Sequence, residues 1–260
     1  MITFLAALVL AVPPQEKTPP VDAERVKAAV EEFDKAFKSK EVKDRVAAIE
    51  RAAQVVDGAL VSAIARGLRD RETDVQRSAI LALRGMNHPD ALQSLQDTAR
   101  RDKALKKDPA LYCELLKGIG QYGSASSIPL LADEAWSVVD HNVIQARILS
   151  LGRIRDPAAV EALMSLMKVA GRHKMQAFME DFRLSLVVLT GVDQGASQDL
   201  WQSWWNDHKR KLEIKPEPPE LPKGLQQKWS YYWGEGRMYD RPTRSGERGR
   251  DDPEGQGRGG

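Results

Sequence analysis

The sequence predicts an all-α protein built as a stack of about five helix pairs. Two observations carry this. The phrase Val75-x-x-x-Ala79-x-x-x-Leu83-x-x-Met86-x-His88-Pro89-x-Ala91-Leu92-x-x-Leu95 returns as Val143-x-x-x-Arg147-x-x-x-Leu151-x-x-Ile154-x-Asp156-Pro157-x-Ala159-Val160-x-x-Leu163. A looser copy lies between them, with Leu111, Leu115, Ile119 and Tyr122 before the turn and Ile128 and Leu131 after it. Self-similarity at a period in roughly the low-to-middle thirties means stacked helix pairs, each unable to bury its apolar face alone.

The elements follow in order. Val26, Val30, Phe33 and Phe37 mark one face of a helix over 23–38, which caps the open end of the stack. The first pair is 42–56 with 58–68, turned at Asp57-Gly58. The second is 74–86 with 90–101, where Asn87-His88-Pro89 breaks the chain and places proline in the first turn of the partner helix. The third is 110–122 with 126–139, and the fourth 142–154 with 157–170. The fifth, the poorest match, is 176–190 with 197–211. The stack thus ends near residue 212. Residues 213–233 hold a proline-rich linker and a short aromatic segment, and 234–260 form a Gly, Arg and acidic tail without apolar spacing, expected to be disordered.

At the other end, residues 1–12 form an apolar run of signal-peptide length, too short to span a bilayer, and 13–22 a proline-rich linker. Export to the periplasm or the medium is the expectation, with no membrane span in the mature chain. If the run is not a signal, the protein is cytoplasmic. Cys113 is the sole cysteine, so no internal disulfide forms, and its apolar helix predicts a buried thiol rather than a reactive one. Charged residues make up 29% of the chain yet nearly cancel, to a formal +2. That balance gives no case for nucleic acid as a partner, and any anion site must be a local patch.

The paired helices with the turn Asp156-Pro157-Ala158-Ala159-Val160-x-x-Leu163 resemble the HEAT-repeat family over roughly residues 41–211. The ending Leu189-Thr190-Gly191 followed by Trp201-x-x-Trp204-Trp205 is similar to the last repeat of exported bacterial members. The resemblance implies a curved, right-handed solenoid used for macromolecular contact, and it transfers no catalytic residues.

The residues add no catalytic constellation. His88, His141, His173 and His208 lack the convergent spacing of a metal site, and His88 holds the turn position that Asp156 fills, predicting a cap. No His-Glu dipeptide occurs, which excludes the di-iron hydroxylases of this fold. The glycosylase branch needs a basic groove for DNA, at odds with the charge balance. Gly118-Ile-Gly120-Gln-Tyr-Gly123 ends a helix rather than following a strand, so its glycines predict close packing and a tight turn, not a dinucleotide site. No cofactor and no metal are called for, and the expected function is non-enzymatic binding or scaffolding. A HEAT-fold enzyme, of lyase or glycosylase type, is the alternative.

One positional pattern remains. Copy offsets put Arg69, Arg100, Trp136 and Lys168 in one column near the ends of successive second helices, closed by Asn206. Lys103, Lys106, Lys107, Arg172 and Lys174 surround it. Stacked repeats turn such a column into a basic ridge for a protein or an anionic polymer. Cations at helix C-termini also complement the macrodipole with no ligand, and the sequence leaves both readings open. Among the aromatics, Trp201 and Trp205 align with core positions while Trp204 is expected to look outward. Trp229, Tyr232 and Trp233 are expected to fold back and seal the last repeat.

Overall fold

The computed structural model describes residues 23–133, 135–136 and 140–234, among which every regular element is helical. The export segment, the first linker and the tail beyond Gly234 lie outside the described residues. A capping helix α1 (Ala23–Ala36) precedes five pairs. They are α2 (Val42–Ala52) with α3 (Gly58–Ala65), α4 (Thr73–Gly85) with α5 (Pro89–Arg101), and α6 (Pro109–Gln121) with α7 (Ile128–Ala132). Then come α8 (His141–Leu151) with α9 (Pro157–Arg172), and α10 (Met179–Thr190) with α11 (Gln198–His208). A last helix, α12 (Lys223–Trp233), follows the second proline-rich linker.

Local chemistry starts these helices where the turn residues stand. The Asp57 carboxylate accepts from Ala59 N at 2.8 Å, Asp108 from Leu111 N at 3.0 Å, and Asp156 from Ala158 N at 2.8 Å. Asp140 accepts from the N–H groups of Asn142 and Val143. His88 does the same work with Nδ1, accepting from Asp90 N at 3.2 Å, so it is a helix cap as its turn position predicts. Pro89, Pro109 and Pro157 open their helices at positions whose N–H would find no intrahelical partner. Gly191 closes α10 in the left-handed conformation, at φ +74°.

The first helices of the pairs pack on one another as α2, α4, α6, α8 and α10, forming one layer, here called A. The second helices form layer B, in which α3 packs on α5, α7 on α9 and α9 on α11. The core runs between the layers. Leu83, Leu95, Leu151 and Leu163, one from each helix of the two matching phrases, are completely buried. Two junctions of layer A are unusually close. A methyl group on Gly120 would lie 2.5 Å from Cβ of Ser150, and one on Gly152 would lie 2.8 Å from Cβ of Ser185. Both serines turn their hydroxyls onto a carbonyl of the preceding A helix, Ser150 onto Leu116 and Ser185 onto Ile148, each at 3.0 Å. Small residues therefore let the backbones approach, and side-chain hydrogen bonds join them.

The structure departs from the sequence-based expectation at four places. α7 ends at Ala132 instead of extending through 126–139, because Nη1 of Arg147 takes the carbonyls of Leu130, Leu131 and Asp133 at 2.7, 3.2 and 3.1 Å. The guanidinium thus satisfies the carbonyls of the helix end, and Asp133 turns to extended backbone. Trp204 is buried, stacked on His208 and edge-on to Trp201, whereas Trp205 is the half-exposed member of the trio. Several helix ends come early: α2 stops at Ala52, leaving Val56 exposed, and α11 stops at His208.

The fourth departure is the largest. Trp229, Tyr232 and Trp233 do not seal the end of the last repeat; the linker turns the chain back across layer A. Nε of Arg155 donates to the carbonyl of Lys215 at 2.6 Å while its Nη1 donates to that of Val188, tying the linker to α10. Tyr232 then lies over Lys117 of α6 and Trp233 over Arg153 at the end of α8, with the cations 4.7 and 4.8 Å from the ring centroids. Lys228 approaches Glu180 of α10 at 3.5 Å. The C-terminal arm therefore bridges the A helices of the third, fourth and fifth pairs.

Candidate functional site: a basic recess in layer B

The residues of the predicted ridge are dispersed by the fold into two recesses and a scatter of exposed cations. Arg69 ends a 3-10 turn after α3, Arg172 lies in the last turn of α9, and Lys174 follows it at φ +56°. Lys107 ends the 3-10 turn before α6, and Lys103 precedes it. These five side chains are exposed, and none lines either recess. Lys168 lines a shallow recess of about 260 Å³ with Gln202, Trp205, Asn206 and Lys209, so the expected proximity of Lys168 and Asn206 is real. Trp136 is not a platform in that column. It is half-buried, edge-on to Phe178 at 5.8 Å and tilted against Phe182 at 6.4 Å.

Arg100 and Lys106 do come together, in a recess of about 590 Å³ where layer B is interrupted. The interruption has a clear cause. The segment between α5 and α6 carries extra residues folded as a 3-10 turn (Leu105–Lys107), and α7 is a helix of 5 residues only. α5 and α7 consequently lack the close backbone packing that joins the other successive B helices. Ala99, Pro129, Leu130 and Tyr112 give the recess apolar walls, and Arg100, Lys106, Arg147 and Asp133 supply its charge.

The three cations are held differently. Arg100 is exposed, with Nη1 3.8 Å from Asp97, beyond hydrogen-bond distance. Lys106 donates one proton to the carbonyl of Arg100 at 3.3 Å, which is helix-end complementation at atomic detail. Arg147 is 4% exposed, and its partners among the described residues are three carbonyls and the Tyr112 hydroxyl, from which Nη2 lies 3.1 Å; its Nε finds no partner there. The guanidinium also lies 5.8 Å from the Tyr112 ring centroid. Arg45 shows the contrast. It lies in the first turn of α2, and its Nε and Nη2 meet both oxygens of Asp70 at 2.9 and 3.0 Å, a bidentate pair that burial makes closed and structural.

Arg147 is the residue that sequence reasoning missed. Its signal stood in the repeated phrase itself, where Arg147 takes the position of the fully buried Ala79. A charge in an apolar column marks either a buried pair or a site.

Elsewhere, pKa displacement follows pairing or burial. Its hydrogen bonds to Asp193 hold Arg183 above its ordinary value, and those bonds hold Asp193 below its own. Burial beneath the arm pushes the Cys113 thiol up to about 11, with the charges of Asp140 and Glu114 adding to the effect, which is the reverse of what a nucleophile needs. Among the described residues no group of His, Cys, Asp and Glu could hold a metal ion, and no helix is long and apolar enough to cross a membrane.

Residues 148–168, from the end of α8 through most of α9, match the PBS lyase HEAT-like repeat. No curated protein matches the chain. The match falls on the pair that carries the Asp156-Pro157 turn, and helix pairs of the same plan stack on either side of it. The chain is thus similar to HEAT-repeat proteins over this one pair, set within a stack of helix pairs.

Proposed function

We propose that the protein is a non-enzymatic binding module of the cell envelope, exported by its N-terminal apolar segment, that meets a partner protein along the basic edge of layer B. The observation that carries this reading is the placement of the C-terminal arm. It buries Leu225, Trp229 and Trp233 on the A side of the last three pairs, so that side is occupied by the chain itself. Arg69, Arg100 and Lys168 of the B edge stay exposed.

The experiment uses the exported chain. Charge reversal at Arg69, Arg100 and Lys168 together should abolish partner binding while the melting temperature moves only slightly, and wild-type binding should weaken steeply with salt. Normal binding by the triple variant would reduce the edge to helix-end complementation. Competition by a polyanion with no protein component would shift the partner class to an anionic polymer. An intact Met1 on exported, folded protein would refute cleavage of residues 1–12.

A further inference from the structure

The recess at the break in layer B is more specific than a charged edge. Its walls alternate in chemistry: Ala99, Pro129, Leu130 and the Tyr112 ring are apolar, while Arg100 and Lys106 present cations and Arg147 stands in the wall. A volume of about 590 Å³ lies within the range of small-ligand sites and accommodates an acidic side chain with an apolar neighbour. We propose that this recess binds a glutamate or aspartate side chain of an extended peptide segment, with the carboxylate held by Arg100 and Lys106 and the flanking apolar side chain against Pro129 and Leu130. The proposal rests on the reading of the B edge as the partner-binding side, and supplies the chemistry of what is bound there.

The electrostatics favour a single carboxylate. Arg147 is buried and held by three carbonyls and the Tyr112 hydroxyl, and a charge in a poorly solvated position is felt further than one in water. It therefore biases the recess toward an anion without touching it, which makes it a positioning charge. Arg100 and Lys106 are the contact groups: the first is loosely paired, and the second spends one of its three protons on the Arg100 carbonyl. Asp133 stands in the same lining. Its negative charge opposes a phosphate dianion more than a carboxylate, and gives a peptide N–H something to donate to. A bare polyanion would also leave the apolar walls unused.

Titration calorimetry of the full chain at low and moderate salt tests this with three probes: a six-residue peptide alternating Glu and Leu, the same peptide with Gln for Glu, and inorganic phosphate. The Glu peptide should bind, and the Gln peptide should bind at least tenfold more weakly. Arg100→Gln with Lys106→Gln should weaken the Glu peptide at least tenfold, while Lys27→Gln with Lys35→Gln on the capping helix α1 leaves it unchanged. Arg147→Lys, which retains the charge, should keep most of the affinity. If Arg147→Gln folds, it should weaken the Glu peptide without changing the preference for Glu over Gln. Equal binding of the two peptides, or binding that survives the Arg100 and Lys106 changes, overturns the proposal. Tighter binding of phosphate through the same two residues also overturns it, in favour of a phosphate site. The two readings fail separately. Peptide binding with normal partner binding by the edge variants removes the edge reading alone, and loss of the partner in those variants with no peptide binding removes the recess alone.

Discussion

Replacing Gly120 with Ala should destabilise the protein, although the same change in an unobstructed helix does the opposite. An added methyl group would sit 2.5 Å from Cβ, 2.6 Å from Oγ and 2.7 Å from Cα of Ser150. Saturated carbons settle at about 3.5–4.0 Å, so α6 and α8 must part by roughly 1 Å. The nearest atoms include backbone, so no side-chain rotation relieves the contact. Overpacking of this kind costs about 1–3 kcal/mol. Removing a glycine from a helix returns about 0.5–1 kcal/mol, leaving a net loss centred on ~1 kcal/mol and at most about 2.5 kcal/mol. For a chain of this size a loss of ~1 kcal/mol lowers the melting temperature by roughly 2–4 °C. Separation of the helices also strains the bond from Ser150 to the Leu116 carbonyl. Gly85, the last residue of α4, is the control: a methyl group there meets nothing within 4 Å, so Gly85→Ala should hold or raise the melting temperature. Thermal and urea melts followed by circular dichroism read both variants. A Gly120→Ala protein melting at or above wild type would show that the A helices are not held at the separation described.

Two further outcomes follow from the buried groups. Burial pushes the Asp70 carboxyl up, but hydrogen bonds from Arg45 and from Glu72 N, with the charges of Arg45 and Arg71, hold it below its ordinary value. A depressed folded pKa contributes stability that is fully present above the unfolded value near 3.9 and is lost as pH falls through the folded one. Asp70→Asn should therefore make the acid limb of the stability profile shallower and, by leaving Arg45 buried without its counter-ion, cost about 3–5 kcal/mol at neutral pH; acid limbs of equal slope would refute the pairing. Cys113 lies one turn before Lys117, the residue under Tyr232, so alkylation at pH 8 should be slow and should accelerate at least tenfold when Trp229→Ala and Trp233→Ala loosen the arm. Equal rates would mean that the arm does not cover this face.

The turns and the buried leucines were legible in the repeated phrases. The Asp57 and Asp156 turns and the His88 cap stand where side chains reach N–H groups two residues on, and the four leucines are buried because helical spacing fixes their face, whereas the inward face of Trp204 was not legible. The basic column was less legible because it was built on offsets that assumed an uninterrupted third pair. Arg147, on the following A helix, ends α7 at Ala132 and removes Trp136 from the helix that would have aligned it with Arg100 and Lys168. That event depends on a contact across many residues, and no local pattern reports it. The arm was hidden for the same reason: Trp229 and Trp233 announce burial, but not whether the covering surface is the end of the stack or its side.

The course of the arm alters how the stack can come apart. In a solenoid each unit touches only its neighbours, so stability is a sum of adjacent couplings and the outermost unit frays first. Here a segment that follows the fifth pair in sequence is fastened to the third at Lys117, to the fourth at Arg153 and to the fifth at Glu180. Peeling α11 or α10 away would require releasing the clasp from all three, and that penalty falls on the first step of opening instead of being shared among later ones. The two ends of the protein are therefore unlike. Among the described residues the N-terminal end is covered by α1 and can loosen one unit at a time, whereas the C-terminal half is closed into a loop that holds or opens as a block.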